Sequence, residues 1–253
     1  MPRKTVLITG ASSGLGEALA TYCASQGCAL ALVARRLEKL ESLAEKLRDQ
    51  YRIQVEVAYL DVNDHDKILP IFMGLSDLLG GIDSIVINAG ILKTRRLGDT
   101  RLDKDIALFK TNVIAAIACA DAAQQMFHFQ GGRGHIVAIS SYSALLGLPQ
   151  AAAYSASKAA IASYFNTIRS ALEKQNINVS VVYPGFVKTD LLKGFQSKLP
   201  IIAKSELVAK DLFEVIQKKP HEAIVPALPW KILYRVQQLT PKPILSWMTK
   251  FLS

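Results

Sequence analysis

Residues 4–20 read KTVLITGASSGLGEALA, a β-branched apolar run followed by three glycines within seven residues and then by a helix-like pattern. Glycine costs backbone entropy, so such a loop needs a conformation or a close approach that a side chain would block. Free N–H groups and the helix dipole at the start of a helix also favour a phosphate. The stretch therefore predicts a strand–loop–helix unit whose loop is either a pyrophosphate site or a plain tight turn.

Short apolar runs alternate with longer helical segments along most of the chain. The runs are TVLIT, ALALVA, VEVAYL, SIVIN, HIVAIS and NVSVVYP. This alternation predicts a single-domain, Rossmann-type, doubly wound α/β fold, with a parallel sheet covered by helices on both faces. We assign residues 1–225 to the main body and residues 226–253, which contain four prolines, to a C-terminal appendage of the same domain. Functional residues are expected at the carboxyl edge of the sheet.

Composition argues against several classes of protein. The formal charge is +9, but basic residues alternate with acids along helical faces, as in RRLEKLESLAEKLRD (35–49), so we expect a solvated surface and no nucleic-acid partner. The chain lacks a run of 18 apolar residues and the zones of a signal peptide, which predicts a cytoplasmic protein. The four histidines and three cysteines lack ligand spacing, so we predict no metal site.

Five motifs occur in order: TGASSGLG at 9–16, NAG at 88–90, SS at 140–141, YSASK at 154–158 and YPGFVKT at 183–189. The Gly-x3-Gly-x-Gly spacing of the first differs from the common dinucleotide fingerprint. Together the motifs resemble the classical short-chain dehydrogenase/reductase family over residues 4–225, and that spacing is the family's own variant. The resemblance implies an NADP-binding catalytic domain and an oxidoreductase.

Tyr154 and Lys158 are four residues apart in a strongly helical segment, so both side chains leave the same helix face. A nearby cation favours the charged form of a phenol, and hydride transfer to or from a carbonyl needs a group that exchanges the oxygen's proton. Ser141 follows a strand, where its hydroxyl could stabilise charge on the substrate oxygen. The resemblance makes Ser141 the catalytic serine and Asn112 a fourth catalytic residue, which holds a water in a proton relay through Lys158.

Cofactor choice is predicted from charge at the end of the second strand. Arg35 and Arg36 stand there with no acid before Glu38. An acid at this place suits NAD, whereas arginine suits the 2′-phosphate of NADP. The alternative is two solvated residues before a helix. The resemblance to NADP-preferring members adds Ser12 as a phosphate contact.

By the same resemblance, Asp61 and Val62 frame the adenine, Asn88 and Gly90 lie by the ribose, and residues 184–189 lie on the nicotinamide side. The predicted cofactor-binding residues are Gly10, Ser12, Ser13, Gly14, Leu15, Gly16, Arg35, Arg36, Asp61, Val62, Asn88, Ala89, Gly90, Tyr154, Lys158, Pro184, Gly185, Val187 and Thr189.

The predicted function is an NADP(H)-dependent carbonyl reductase or alcohol dehydrogenase. The expected specificity loops, residues 92–97, 142–149 and 186–200, are mostly apolar, which favours a hydrophobic ketone, aldehyde or 3-oxoacyl, lipid-like substrate. One alternative is a nucleotide-sensing module that has kept the fold and lost the chemistry. The other is a membrane-surface or scaffold protein that acts through its C-terminal segment.

An apolar stripe at helical spacing lies near the C-terminus, with Lys242 and Lys250 beside it and Lys231 and Arg235 before it. Its members are Ile244, Leu245, Trp247, Met248, Phe251 and Leu252. The stripe allows two interpretations. In the first, it packs on the core or on a second subunit of a homo-oligomer, which would be a dimer or tetramer. In the second, it is a peripheral membrane contact or a lid over the substrate entrance.

Overall fold

The computed structural model describes residues 4–93, 102–148, 151–190 and 202–240. Seven strands form one parallel sheet in the order β3-β2-β1-β4-β5-β6-β7, which confirms the doubly wound α/β prediction. The strands are β1 (Thr5–Thr9), β2 (Ala29–Ala34), β3 (Val55–Tyr59), β4 (Ser84–Ile87), β5 (Gly134–Ile139), β6 (Ile177–Pro184) and β7 (Glu222–Val225). The last strand was absent from the sequence prediction because it has four residues and begins with the exposed, charged Glu222.

Helices connect the strands and cover both faces of the sheet. They are α1 (Gly14–Ser25), α2 (Leu37–Tyr51), α3 (His65–Leu79), α4 (Leu102–Phe109), a π-helix (Lys110–Ile114), α5 (Ala115–Phe129), α6 (Ser143–Leu146), α7 (Ala152–Glu173), α8 (Ser205–Lys218) and α9 (Ala227–Leu239).

Two hydrophobic layers hold the sheet between them. On one face, Leu7 of β1 packs with residues of α3, α5 and α7. On the other face, Val6 and Ile8 of the same strand pack with α1, α2 and α8. Because both faces are covered, β1, β2 and β5 are buried along their whole length and read as continuous apolar runs.

The order in which strands are added to the sheet reverses between β1 and β4: β2 and β3 lie on one side of β1, and β4 to β7 lie on the other. Strand β1 pairs with β2 on one side and with β4 on the other. At such a switch point the loops after the two strands diverge and leave a crevice at their carboxyl ends. The fold therefore places a binding cleft directly after Thr9 and Ile87.

The helical stretch Leu102–Phe129 has the length and composition of a membrane-crossing helix, and it alone does so within the described ranges. Half of its apolar window is buried inside the fold. Cys119, Met126 and Phe127 belong to the buried layer under the sheet. A core helix passes the same test of length and composition, so this feature is weak evidence for a membrane span.

The C-terminal region packs on the main body through α9. Trp230 is 1% exposed, and its ring lies 4.8 Å from that of Tyr142 and 5.2 Å from that of Phe186, centroid to centroid. The predicted apolar stripe from Ile244 to Leu252 lies outside the described residues.

Candidate active site

A cleft of about 880 Å³ opens at the carboxyl edge of the sheet. It is lined by loops that follow strands at both sides of the switch point, as the fold predicts. All the predicted site residues line it except Gly16 and Asn112. Its further lining residues fall into three groups. Ser140 belongs to the SS motif, and Leu92, Leu148, Phe186 and Asp190 lie in the expected specificity loops. The sequence did not indicate Ala34, Leu60, Asn63, Ile91, Thr111 and Ile139.

The glycine loop after β1 adopts a backbone conformation that favours glycine at two positions. Gly10 and Gly14 adopt φ of +69° and +61°, a region that favours glycine. A Cβ on Gly10 would lie 2.9 Å from the Cα of Ala89. Helix α1 starts at Gly14, and the side chain of Ser13 at its N-cap makes no capping hydrogen bond. The first N–H groups of the helix therefore suit an anion held in the cleft.

Gly16 shapes this loop without facing the cleft. A Cβ there would lie 2.5 Å from the carbonyl oxygen of Gly10 and 2.7 Å from the Nδ2 of Asn88. The absent side chain lets α1 lie against the loop. The structure thus gives Gly16 a packing role, and its contact with the cofactor stays a prediction.

Hydrogen bonds tie the ends of β1 and β4 together. The Oγ1 of Thr9 accepts from the backbone N–H groups of Asn88 and Ala89, both at 3.0 Å. The Nδ2 of Asn88 donates to the carbonyl oxygen of Thr9 at 2.9 Å. These bonds fix the NAG segment against the glycine loop, so the two walls of the cleft form one unit.

The two arginines after β2 occupy one end of the cleft. The guanidinium of Arg36 donates to Ser12 Oγ at 3.0 and 3.2 Å and to Ser13 Oγ at 2.6 Å. The guanidinium of Arg35 lies 3.9 Å from the carboxylate of Asp61. Both arginines are exposed, so their charge remains available to a ligand. Positive charge is thus concentrated where the loops after β1 and β2 meet.

Asp61 lines the same end of the cleft. Burial acts to raise its pKa, but hydrogen bonds from the backbone and side chain of Asn63 and the charges of Arg35 and Lys110 lower it below the usual value. Asn63 also contacts Thr111 at 3.3 Å, which links the loop after β3 to the π-helix.

Tyr154, Lys158 and Ser141 meet in the centre of the cleft. The Nζ of Lys158 lies 5.8 Å from the centroid of the Tyr154 ring and donates to the carbonyl oxygen of Ile139 at 2.9 Å. Tyr154 is hydrogen-bonded to Ser141.

The Oγ of Ser141 accepts from the N–H and the hydroxyl of Ser143, at 3.1 and 3.0 Å. With both lone pairs engaged, Ser141 uses its own hydrogen in the bond to Tyr154. Ser143 is thus a residue that orients the site and that the sequence reading missed, although it lies in the SSYS stretch.

The protonation states differ from the sequence-based expectation. Burial raises the pKa of Tyr154 to about 12, and the hydrogen bond from Ser141 opposes this only in part. Burial also lowers the pKa of Lys158 to about 8. The expectation that the Lys158 charge lowers the pKa of Tyr154 was therefore wrong. The reason is that burial disfavours the phenolate, while the ammonium donates to Ile139.

Asn112 is buried in the π-helix and does not line the cleft. Its Oδ1 accepts from the N–H of Ile91 at 2.8 Å, and its Nδ2 donates to the carbonyl oxygen of Ile91 at 2.9 Å and to Ser157 Oγ at 3.2 Å. A Cβ on Gly90 would lie 3.3 Å from Asn112 Oδ1 and 3.5 Å from Lys158 Nζ. Asn112 therefore holds the loop after β4 beside Lys158, while its part in a water relay stays a prediction.

The other end of the cleft is apolar. Ile91, Leu92, Leu148 and Phe186 line it. Behind Phe186 lies Trp230, and a Cβ on the neighbouring Gly185 would come within 2.2 Å of the Trp230 ring. This wall is built from segments far apart in the chain.

No group of three or more His, Cys, Asp or Glu side chains suited to a metal ion occurs among the residues that the structure describes.

Comparisons with known proteins agree with this geometry. Residues 4–200 match the family model described as short chain dehydrogenase. An uncharacterized oxidoreductase of Mycobacterium tuberculosis is 40% identical over 241 residues, which cover 94% of each chain. Farnesol dehydrogenase of Aedes aegypti is 33% identical over 194 residues, 75% of this chain and 79% of that one.

A solved short-chain dehydrogenase from Sphingobium yanoikuyae in complex with NADPH superposes with a TM-score of 0.80 at 27% identity. The match covers 93% of this chain and 94% of that one. The family model spans more than half of the chain, and the fold and the arrangement of the cleft agree with it. The chain therefore belongs to the short-chain dehydrogenase/reductase family and is a nicotinamide-dependent oxidoreductase.

Proposed function

We propose that this protein is an NADPH-dependent carbonyl reductase that acts on a hydrophobic ketone, aldehyde or 3-oxoacyl compound. The observation that carries the proposal is the hydrogen-bonded set Tyr154, Ser141 and Ser143 in the centre of the cleft, with the buried Lys158 beside it. A binding module without chemistry has no need of an oriented proton donor.

The cleft fits a dinucleotide by the shape of its backbone. Gly10 and Gly14 leave space that a Cβ would fill, and the start of α1 offers N–H groups to a pyrophosphate. Asp61 and Asn88 line the side on which we expect the adenine and the ribose. When bound, the dihydronicotinamide supplies the hydride that the reaction needs.

NADPH in preference to NADH is supported by the two arginines after β2. Arg36 is already held by Ser12 and Ser13, so its planar fork is oriented before a ligand arrives. A 2′-phosphate would receive charge-assisted hydrogen bonds there, and no carboxylate stands at this position to accept from a 2′-hydroxyl. The NADPH complex of the Sphingobium yanoikuyae relative is consistent with this choice.

The raised pKa of Tyr154 supports its role as the proton donor in carbonyl reduction. With a pKa of about 12, the phenol is protonated near neutral pH and can give its proton to a carbonyl oxygen that gains negative charge. Ser141, whose hydroxyl hydrogen is donated to Tyr154 in this structure, would stabilise the same oxygen by turning that hydrogen toward the substrate.

The apolar end of the cleft supports a hydrophobic substrate. Leu92, Leu148 and Phe186 present hydrocarbon where the remainder of a carbonyl compound would lie beyond Ser141 and Tyr154. The name of the Aedes aegypti relative, farnesol dehydrogenase, denotes activity on an apolar alcohol. A homo-oligomeric state stays a prediction.

The test is NADPH consumption by the full chain with alkyl and aryl ketones, aldehydes and 3-oxoacyl compounds, with sugar aldehydes as polar comparators. Tyr154→Phe removes only the transferable proton, so turnover should fall by about 10²- to 10⁴-fold while NADPH binding is kept. Tyr164→Phe makes the same change elsewhere on α7 and should behave as wild type. NADPH binding without consumption of any carbonyl, or a Tyr154→Phe variant with most of the wild-type rate, would contradict the proposal.

A further inference from the structure

Helix α9 has one buried and one exposed face. Trp230 is buried, and Leu233 and Tyr234 pack against the same cluster. The opposite face carries Ile232, Val236 and Leu239, which are 57%, 50% and 86% exposed. These three positions are spaced by four and three residues and form one continuous apolar stripe along the helix.

The stripe is extended at the start of α9 by Leu228, which is 67% exposed and has a non-helical backbone. Four aliphatic side chains therefore face outward on one element, which we call the α9 stripe: Leu228, Ile232, Val236 and Leu239. Trp230 anchors the helix against Tyr142 and Phe186, so the stripe has a fixed orientation relative to the cleft.

Charge identifies what can cover the α9 stripe. Lys231 and Arg235 are exposed beside it. After Glu222 the sequence has no Asp or Glu through to Ser253, but it has four basic residues. A suitable occupant must combine hydrocarbon with negative charge.

A second copy of this chain meets that requirement poorly. In a two-fold contact the same patch faces itself, so Lys231 and Arg235 would meet like charges. Residues 241–253 of the same chain bring two further lysines and no acid. An anionic lipid bilayer supplies both hydrocarbon and negative charge.

We propose that the α9 stripe, with Lys231 and Arg235, docks the protein on the surface of an anionic lipid membrane. The four aliphatic side chains enter the boundary between headgroups and acyl chains, and the two cations contact lipid phosphates and carboxylates. One short helix face binds shallowly, so the attachment is reversible and weakens as salt screens the charges. This inference does not depend on the reaction that the cleft performs.

The experiment is co-sedimentation of the full chain with phosphatidylcholine vesicles that contain roughly a third phosphatidylserine, and with pure phosphatidylcholine vesicles, at low salt and at about 0.5 M salt. We expect binding only to the anionic vesicles at low salt. Ile232→Ser/Val236→Ser/Leu239→Ser and Lys231→Glu/Arg235→Glu should each weaken it at least about tenfold.

Matched controls change equally exposed side chains elsewhere. They are Leu78→Ser/Leu102→Ser/Ile106→Ser for the apolar variant and Arg133→Glu/Lys174→Glu for the charge variant. Both controls should bind vesicles as wild type does, and all four variants should keep the wild-type melting temperature. The proposal is overturned if wild type ignores anionic vesicles at low salt, if the stripe variant binds them unchanged, or if the control variants lose as much binding. It is equally overturned if the stripe variant instead dissociates a dimer.

Discussion

The two ends of the cleft are built in different ways. At the cofactor end, backbone groups meet at short range, as where Thr9 accepts from Asn88 and Ala89 and where Gly10 lies against Ala89. At the apolar end, large side chains from distant segments pack together, as Phe186 and Trp230 do. Backbone contacts leave no room for substitution, whereas side-chain packing can be rearranged. The first end should therefore be rigid and intolerant of change, and the second adaptable.

The largest expected effect concerns Trp230. Trp230→Ala removes a fully buried ring and should lower the free energy of unfolding by about 3–5 kcal/mol, measured by urea denaturation. NADPH affinity should change far less than turnover, because the cofactor end does not rest on this ring.

Gly185 tests whether the packing at the apolar end is adaptable. Gly185→Ala places a Cβ against the Trp230 ring and should impair the wild type, yet it should be tolerated in the Trp230→Ala background. Equal damage in both backgrounds would show that the apolar end is as rigid as the cofactor end.

Gly16→Ala is the counterpart at the cofactor end. Its Cβ would collide with the carbonyl oxygen of Gly10. Because that oxygen belongs to the backbone, no second substitution can remove it. We expect a cost of about 1–3 kcal/mol and an NADPH affinity lower by up to about a hundredfold, measured by fluorescence titration. Gly74→Ala, at a helical glycine whose Cβ would contact nothing, is the control: it should leave NADPH affinity unchanged and stabilise the fold by up to about 1 kcal/mol.

Arg36→Asp should reverse the cofactor preference. A carboxylate repels the 2′-phosphate and accepts from a ribose hydroxyl, so NADPH affinity should fall about ten- to a hundredfold while NADH affinity rises. Arg35→Asp is the companion variant. Unchanged NADPH binding in both would place the phosphate site elsewhere.

The smallest effect is on pH dependence. Carbonyl reduction needs protonated Tyr154, which persists to about pH 12. The proton relay that the family resemblance implies also runs through the Lys158 ammonium, whose pKa burial lowers to about 8. The reduction rate should therefore be flat near neutrality and decline above about pH 8, measured at saturating NADPH. A decline that begins only near pH 10 would show that Lys158 keeps its charge.

Sequence reasoning succeeded where local requirements determine structure. Six strands were predicted because their apolar runs are continuous, and the glycine loop was predicted because Gly10 and Gly14 need positive φ. These features depend on neighbouring residues alone. The other residues of the cofactor end were named from the family resemblance, and their contacts with a cofactor stay predictions.

The remaining features depend on contacts between distant residues. Trp230 is separated from Gly185 by 44 residues, and its segment looked like an appendage. The hydrogen bonds of Asn112 to Ile91 require the π-helix, which no sequence pattern indicated. The direction of the Tyr154 pKa was wrong because it depends on burial by the whole fold.

The π-helix at Lys110–Ile114 has a consequence for any attempt to stabilise this protein. It contains one residue more than regular α-helical bonding from α4 into α5 would need. Deleting one residue there would restore an unbroken hydrogen-bond ladder, but it would turn one half of the helix relative to the other by about 100°. Asn112 would then leave Ile91, and the loop beside Lys158 would lose its tether. The same rotation would break the packing of α5, whose Cys119, Met126 and Phe127 lie in the buried layer, so the melting temperature should fall together with the turnover number. A protein with the more regular helix would therefore be less stable and less active.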